Sequence, residues 1–220
     1  YSDAMDELGS FAIKHNIPVT QTVMGYSTMK RDHSHFLGPI GGLGGRAANN
    51  LAKETDLAIC VGTKLADFTT GSWANFENPE FKLVSINIAR HDANKHLAEA
   101  VIGDAKVCLS ELSNSLGNWK SPDSWHKKSQ DELKSWNEYV DKESGPTNQE
   151  TPNYAHAVGA IYRNSDPTDI AVTAAGGLVG EVVQVWRPKE LNTHETEWGF
   201  SCMSYEISGA LGIKMANPDK

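Results

Sequence analysis

Between Glu197 and Gly212 the chain reads EWGFSCMSYEISGALG, with small residues, hydroxyls, one thiol and one thioether standing between glycines ahead of a helix-like segment. Small side chains let backbone carbonyls and amides come close to a ligand, and the start of the following helix adds a partial positive charge. A second such place lies upstream, where the strand-like run Asp169 to Thr173 passes into Ala174-Ala175-Gly176-Gly177-Leu178. Two glycine-bearing strand-to-helix turns suit a cofactor seat at the carboxyl ends of parallel strands. The geometric expectation is that the turns around Gly176 and Met203 lie side by side.

Other residues carry weaker chemical signals. Cys202, near a helix start, could be a nucleophile if its thiol were acidified there. No His or Asn partner for it is identifiable, which favours a packed or backbone-contributing cysteine. The loop from Gly62 to Trp73 leaves an apolar strand-like run and offers hydroxyls, Lys64 and Asp67. It reads equally as a polyol or phosphate contact and as a capped helix start. Gly42-Leu43-Gly44-Gly45-Arg46-Ala47 has the letters of a dinucleotide turn, yet the nearest expected strand, Ile17 to Thr22, ends well before it. The favoured reading is a permissive loop that packs a helix against a sheet. Asp32-His33-Ser34-His35 and the group His91, Asp92 and His96 match no metal-ligand spacing, so no metal is assigned to them.

The elements that must position these residues follow from periodicity. Leu8, Phe11 and Ala12 repeat at helical spacing, Ala47, Ala48 and Leu51 face inward from a second helix, and Leu57 to Gly62 is a continuous apolar run expected to be buried on both faces. Leu83 to Ile88 and Val101 to Gly103 are further strands, and Asp104 is placed to cap a helix carrying Val107, Leu109, Leu112 and Leu116. This alternation predicts an α/β fold with a doubly wound parallel sheet over residues 1–117. Ser121-Pro122-Asp123 reads as the start of a polar helix with a sparse apolar stripe, followed by a Gly-Pro break, so 118–150 is expected to be a connecting helix and linker. A helix from Tyr154, the strand ending at Thr173, a helix reaching Trp186 and a final helix make 151–220 an incomplete second α/β unit.

Composition narrows the function classes. In 220 residues, 20 Lys and Arg stand against 28 Asp and Glu, a formal charge of −8. This argues against a nucleic-acid partner, which requires clustered cations; His126-Lys127-Lys128 reads as a solvated helix face. No apolar run approaches the ~20 residues that span a bilayer, so no membrane partner is expected. Three scattered cysteines, Cys60, Cys108 and Cys202, form neither a zinc motif nor a disulfide framework and fit a reducing, cytoplasmic compartment. The chain reads as a piece of a longer polypeptide.

The segments IPV (17–19), DH (32–33), LG (37–38), DLAICVGTKL (56–65), SINI (85–88) and GDA (103–105) resemble, in that order, the Rossmann-like central domain of thiamine-diphosphate enzymes of the acetohydroxyacid-synthase type. TAAGGLVGEVVQVWRP (173–188) with GFSCMSYEISGALG (199–212) resembles the opening of their pyrophosphate-binding domain. ADFTTGSW (66–73) and HETEWGFSCMSYEI (194–207) are similar to the branch of that superfamily that hydrolyses a trihydroxycyclohexane-dione in inositol breakdown.

The resemblance implies a cofactor, thiamine diphosphate with Mg2+, whose thiazolium ring serves as electron sink during C–C cleavage. It implies cofactor contacts from Gly176, Gly177 and Leu178 to the diphosphate and from Ser201, Cys202 and Met203 to the rings, with Met203 as the apolar wedge that bends the cofactor. Gly177-Leu178 stands where polar side chains often occur, which leaves the diphosphate to backbone amides. Ser204, Glu206 and Ser208 replace the usual Gly and Pro, and Glu206 becomes a candidate contact to a polyol dione substrate. The catalytic Glu and the magnesium ligands are expected outside these 220 residues, so this stretch alone is expected to be inactive, with a homodimer or homotetramer as the working unit. Readings from neighbouring classes are a carboligase or decarboxylase of 2-oxo acids and a nucleotide-binding module without thiamine chemistry.

Overall fold

A computed structural model describes residues 2–219. The chain begins with α1 (Met5–His15), which ends where Asn16 turns left-handed (φ 56°) and returns its N–H to the carbonyls of Ala12 and Ile13. Two short strands follow, β1 (Val19–Gln21) and β2 (Phe36–Pro39), then α2 (Arg46–Glu54). Next come β3 (Leu57–Val61), the single turn α3 (Asp67–Thr70), β4 (Lys82–Asn87), the short α4 (Arg90–Ala93), β5 (Glu99–Ile102) and α5 (Ala105–Leu116). The long helix α6 (Asp123–Glu143) leads to α7 (Tyr154–Asn164), β6 (Ala171–Thr173), α8 (Leu178–Val185), β7 (His194–Thr196) and α9 (Tyr205–Ala216).

Every strand pair among the described residues is parallel: β1 with β2, β3-β4-β5 in that order, and β6 with β7. Parallel neighbours require a crossover between them, which the intervening helices and loops supply. The mixed α/β architecture with parallel open sheets agrees with the doubly wound expectation. Asp104 caps α5 as its position suggested, accepting from the amides of Lys106 and Val107 at 3.0 and 3.2 Å. Asn153 and His156 form a reciprocal capping box at the start of α7.

One hydrophobic core runs through all three stretches of the sequence. Leu37 and Ile40 near β2, Ala47, Ala48 and Leu51 of α2, Leu133, Trp136 and Val140 of α6, Val158 and Tyr162 of α7, and Val182, Val185 and Trp186 of α8 pack together. The two fully buried alanines keep the buried face of α2 small, and α2 packs on both β2 and α6. Arg46 lies over the rings of Trp136 (5.7 Å) and Tyr139 (5.5 Å), closing the outer side of the α2–α6 contact. The α6 helix is therefore a packed element joining α2 to α8 and not merely a connector.

Several local expectations are corrected. The apolar run 57–61 is not buried on both faces: Leu57 is exposed and the rest are half-buried. Among the described residues β3 pairs only with β4, and the central strand β4 holds the buried positions Ser85 and Ile86. Val107 is exposed and only Leu109 of α5 is fully enclosed. Ser121 does not cap α6; its hydroxyl donates to the carbonyl of Asn16 (2.5 Å), tying the helix start back to α1. His126 is not a solvated surface residue, since its ring stacks on His35 at 4.2 Å.

Candidate functional site

The parallel pairing of β6 with β7 aligns Ala171 with His194 and Thr173 with Thr196. Both strands therefore end at the same edge, and the chain leaves each of them into one of the two turns singled out above. The turn after β6 passes through Gly176, whose φ of +99° is left-handed, and Gly177 precedes the first residue of α8, Leu178. A Cβ added at Gly176 would meet nothing within 4 Å, and Gly176, Gly177 and Leu178 are all exposed. The turn after β7 runs from Glu197 to Ser204 and carries two non-glycine residues in the left-handed region, Ser201 (φ 50°) and Ser204 (φ 75°). Cys202 is exposed as a free thiol, Met203 is 78% exposed and Phe200 90%. Glu206 is half-buried in the first turn of α9.

The second turn is tied to the sheet and to itself. Glu197 donates its backbone N–H to Thr173 at the end of β6 (3.2 Å). Its carboxylate accepts from the amides of Phe200 and Cys202, each at 2.7 Å. These bonds, with Gly199 adding to them, hold the Glu197 carboxyl below its ordinary range. Thr196 lies fully inside the strand end, and its hydroxyl is buried without a hydrogen-bond partner.

Two features from the first half of the chain reach this edge. Phe68, in α3 of the 66–73 segment, meets Trp198 edge-on with ring centroids 5.1 Å apart. Val23 packs with Val179 and Val183 of α8, and Leu43 and Trp198 pack against that small cluster. Within 66–73 two of the hydroxyls are engaged locally: Ser72 donates to the carboxylate of Asp67 (2.9 Å) and Thr70 to its carbonyl (3.3 Å). The contact this segment makes with the second turn is the aromatic one of Phe68 with Trp198.

The Gly42–Ala47 stretch does have a strand directly before it, since β2 ends at Pro39. Gly44 and Gly45 of the stretch, and Gly41 just before it, are nevertheless filled by protein, whereas a Cβ at Gly42 would make only ordinary contact with Phe68 at 3.8 Å. A Cβ at Gly41 would stand 2.1 Å from the carbonyl oxygen of Phe68, one at Gly44 would stand 2.5 Å from the carbonyl carbon of Ile40, and one at Gly45 would stand 2.7 Å from Nε1 of Trp136. The favoured packing role holds, although the reason given for it does not.

A family model described as the central domain of thiamine pyrophosphate enzymes matches residues 1–112. The chain belongs to the thiamine pyrophosphate enzymes. Among curated relatives, a 3D-(3,5/4)-trihydroxycyclohexane-1,2-dione hydrolase of Clostridium perfringens (strain 13 / Type A) is 34% identical over all of this chain and 38% of its own length. Proteins of the same name from Geobacillus thermodenitrificans (strain NG80-2) and Bacillus anthracis are 34% and 35% identical, again across the whole chain and over 37% and 38% of their lengths. The chain thus spans little more than a third of the curated relatives it matches.

The two turns fit the cofactor of thiamine pyrophosphate enzymes on their own geometry. An open left-handed glycine just ahead of a helix offers amides to an anion with no side chain in the way. The neighbouring turn exposes a flexible apolar thioether, suited to lie against a ring. Among the described residues no group of three or more His, Cys, Asp and Glu is arranged to hold a metal ion. Two concavities, about 200 Å³ between α6 and α8 and about 230 Å³ between α1 and α5, include no residue of either turn. The two exposed turns are preferred as the candidate site because, each leaving a strand of one parallel pair, they combine open glycine backbone with unburied chemical groups.

Sequence reasoning missed Glu197 and Thr196, along with the Phe68–Trp198 contact. Glu197 could have been noticed as a carboxylate a few residues before a run of small residues, where loop amides need an acceptor. Nothing in the sequence signals the pairing of residues 68 and 198.

Proposed function

We propose that this chain is the central domain and the opening of the pyrophosphate-binding domain of a thiamine-diphosphate-dependent hydrolase that cleaves a C–C bond of a trihydroxycyclohexane-1,2-dione. On this reading the product is a 5-deoxy-glucuronate-type acid formed in inositol breakdown. The observation that carries the cofactor part is the parallel pairing of β6 and β7, which delivers the Gly176 and Met203 turns to one edge. The substrate part is supported by the names of the relatives and by the meeting of Phe68 with Trp198, which joins the two segments most like that branch.

Thiamine diphosphate, when bound, supplies an electron sink beside a scissile C–C bond. The chain's own residues bind and orient it. The backbone at Gly176, Gly177 and Leu178 would receive the diphosphate at the start of α8. The Ser201 carbonyl and the backbone of Cys202 would meet the aminopyrimidine side, and Met203 would wedge between the rings. Glu206, in the first turn of α9, would accept from a substrate hydroxyl. Phe68 and Trp198 would form an apolar wall that keeps water from one side of the site.

The finer parts of the reading come from the resemblance and the relatives. Mg2+ and the catalytic Glu would be supplied by residues outside this chain, and a neighbouring subunit of a homodimer or homotetramer would cover the exposed turns. A cytoplasmic location agrees with the scattered cysteines, and no described helix is long and apolar enough to cross a membrane. A substrate screen decides the matter. The complete protein carrying this chain should open the cyclic dione only with thiamine diphosphate and Mg2+ present. Turnover of pyruvate without dione hydrolysis would assign it to the 2-oxo-acid enzymes instead.

A further inference from the structure

The turn from Gly199 to Ser204 has little to hold it in shape. Ser201 and Ser204 both sit in the left-handed region, which disfavours a residue with a Cβ by about 1–2 kcal/mol. Strain of that kind persists only where the surroundings over-determine it. Burial does not, because Phe200 and Met203 are almost fully exposed and α9 has no buried residue. The hydrogen bonds point to one side chain. Glu197 Oε1 accepts from the amide of Phe200 and Oε2 from the amide of Cys202, one oxygen to each on either side of Ser201. The Glu197 backbone is itself fixed to Thr173 of β6, and the Cys202 carbonyl accepts from the amide of Tyr205 at the start of α9 (3.2 Å). A continuous line of hydrogen bonds thus runs from the sheet edge, through one carboxylate, across the turn and into the helix.

We infer that Glu197 is the positioning residue of this turn, setting the backbone of Ser201 to Met203 in the form that receives the cofactor. The inference rests on the cofactor reading given above. Glu197 meets amides and not the cofactor, so it acts through the turn and takes no part in bond making. An ionised carboxylate accepts two amides at once, and such charge-assisted bonds are shorter and stronger than neutral ones. Gln has the same shape but only one accepting oxygen, and Asp keeps the charge one methylene short.

The test compares wild type, Glu197→Gln and Glu197→Asp in the complete protein, reading amide hydrogen exchange at Phe200 and Cys202, the affinity for thiamine diphosphate with Mg2+, and dione turnover. In Glu197→Gln, exchange at one or both amides should quicken at least about tenfold while the amides of β6 and β7 stay protected. The cofactor Kd should rise about tenfold, with kcat at saturating cofactor within about twofold of wild type. Glu197→Asp should recover part of the affinity. Unchanged exchange and unchanged Kd in both variants would overturn the inference, and so would a lowered melting temperature with wild-type Kd, which marks a purely structural bond. Failure of the wild-type protein to bind thiamine diphosphate at all overturns the cofactor reading instead, and the exchange rates still report whether Glu197 holds the turn.

Discussion

Two of the glycine-bearing turns that lead from a strand into a helix, at 41–45 and at 176–177, are built to opposite ends. In the 41–45 turn the space where side chains would stand is taken by the Phe68 carbonyl, the backbone of Ile40 and the indole of Trp136. At Gly176 the equivalent space is empty, although the backbone is just as left-handed. The first turn uses glycine to bring protein against protein; the second leaves its backbone uncovered. Glycine spacing alone is therefore a poor guide to a ligand site, and what stands where the Cβ would be is a better one.

That contrast can be broken or sharpened by mutation. Trp136→Ala removes the indole that covers Gly45 and much of the α2–α6 contact, and should cost about 3–5 kcal/mol in denaturant unfolding. Gly41→Ala drives a methyl into the Phe68 carbonyl at a left-handed position and should cost about 3 kcal/mol. A loss under about 1 kcal/mol would mean that the 41–45 turn is not packed as described.

On the other side of the comparison, His194 of β7 tests whether the edge that carries the open turn is itself solidly buried. Burial lowers its imidazole from 6.5 to about 4, so it stays neutral when folded while the unfolded chain takes up a proton over that interval. Its contribution is fully present above pH about 6.5 and lost as the pH falls toward 4, on the order of a few kcal/mol. A stability profile flat across that range, or identical to that of His194→Gln, would contradict the burial.

Gly176→Ala should cost only about 1 kcal/mol, from backbone strain without overlap, while weakening thiamine diphosphate binding by the complete protein. The reverse pattern, a large loss of stability with intact binding, would erase the contrast with Gly41. The smallest effect is expected where the two halves meet. A double-mutant cycle of Phe68→Leu and Trp198→Leu should give a coupling of about 1 kcal/mol.

Much of the fold could be read before the structure because its elements declare themselves locally. Asp104 caps a helix, Leu83 to Asn87 is a β-rich run, and the alternation of strands with helices demands parallel pairing. β2 escaped notice because Phe36-Leu37-Gly38-Pro39 holds two residues that ordinarily break strands. The burial of β3 was overstated because an apolar run does not say whether its strand is central or at an edge. At the site, the two turns were legible from their glycines and, for the first, from the strand before it; β7, only His194–Thr196, was not anticipated as a strand. The clamp by Glu197, the edge-on meeting of Phe68 with Trp198 and the stack of His126 on His35 depend on chain paths that bring distant residues together, which no local pattern encodes.

The central claim is that the Gly176 and Met203 turns form one wall of a thiamine diphosphate site. Cys202 lies within that wall as an exposed free thiol, whereas burial pushes the Cys60 thiol up to about 12 and so keeps it unreactive. The most direct measurement is the rate of maleimide alkylation at Cys202 in the complete protein, with and without thiamine diphosphate and Mg2+, read by peptide mass analysis with Cys108 as internal control. The account predicts at least about tenfold slowing at Cys202 under saturating cofactor and no change at Cys108. Equal rates at Cys202 with the cofactor demonstrably bound would contradict it.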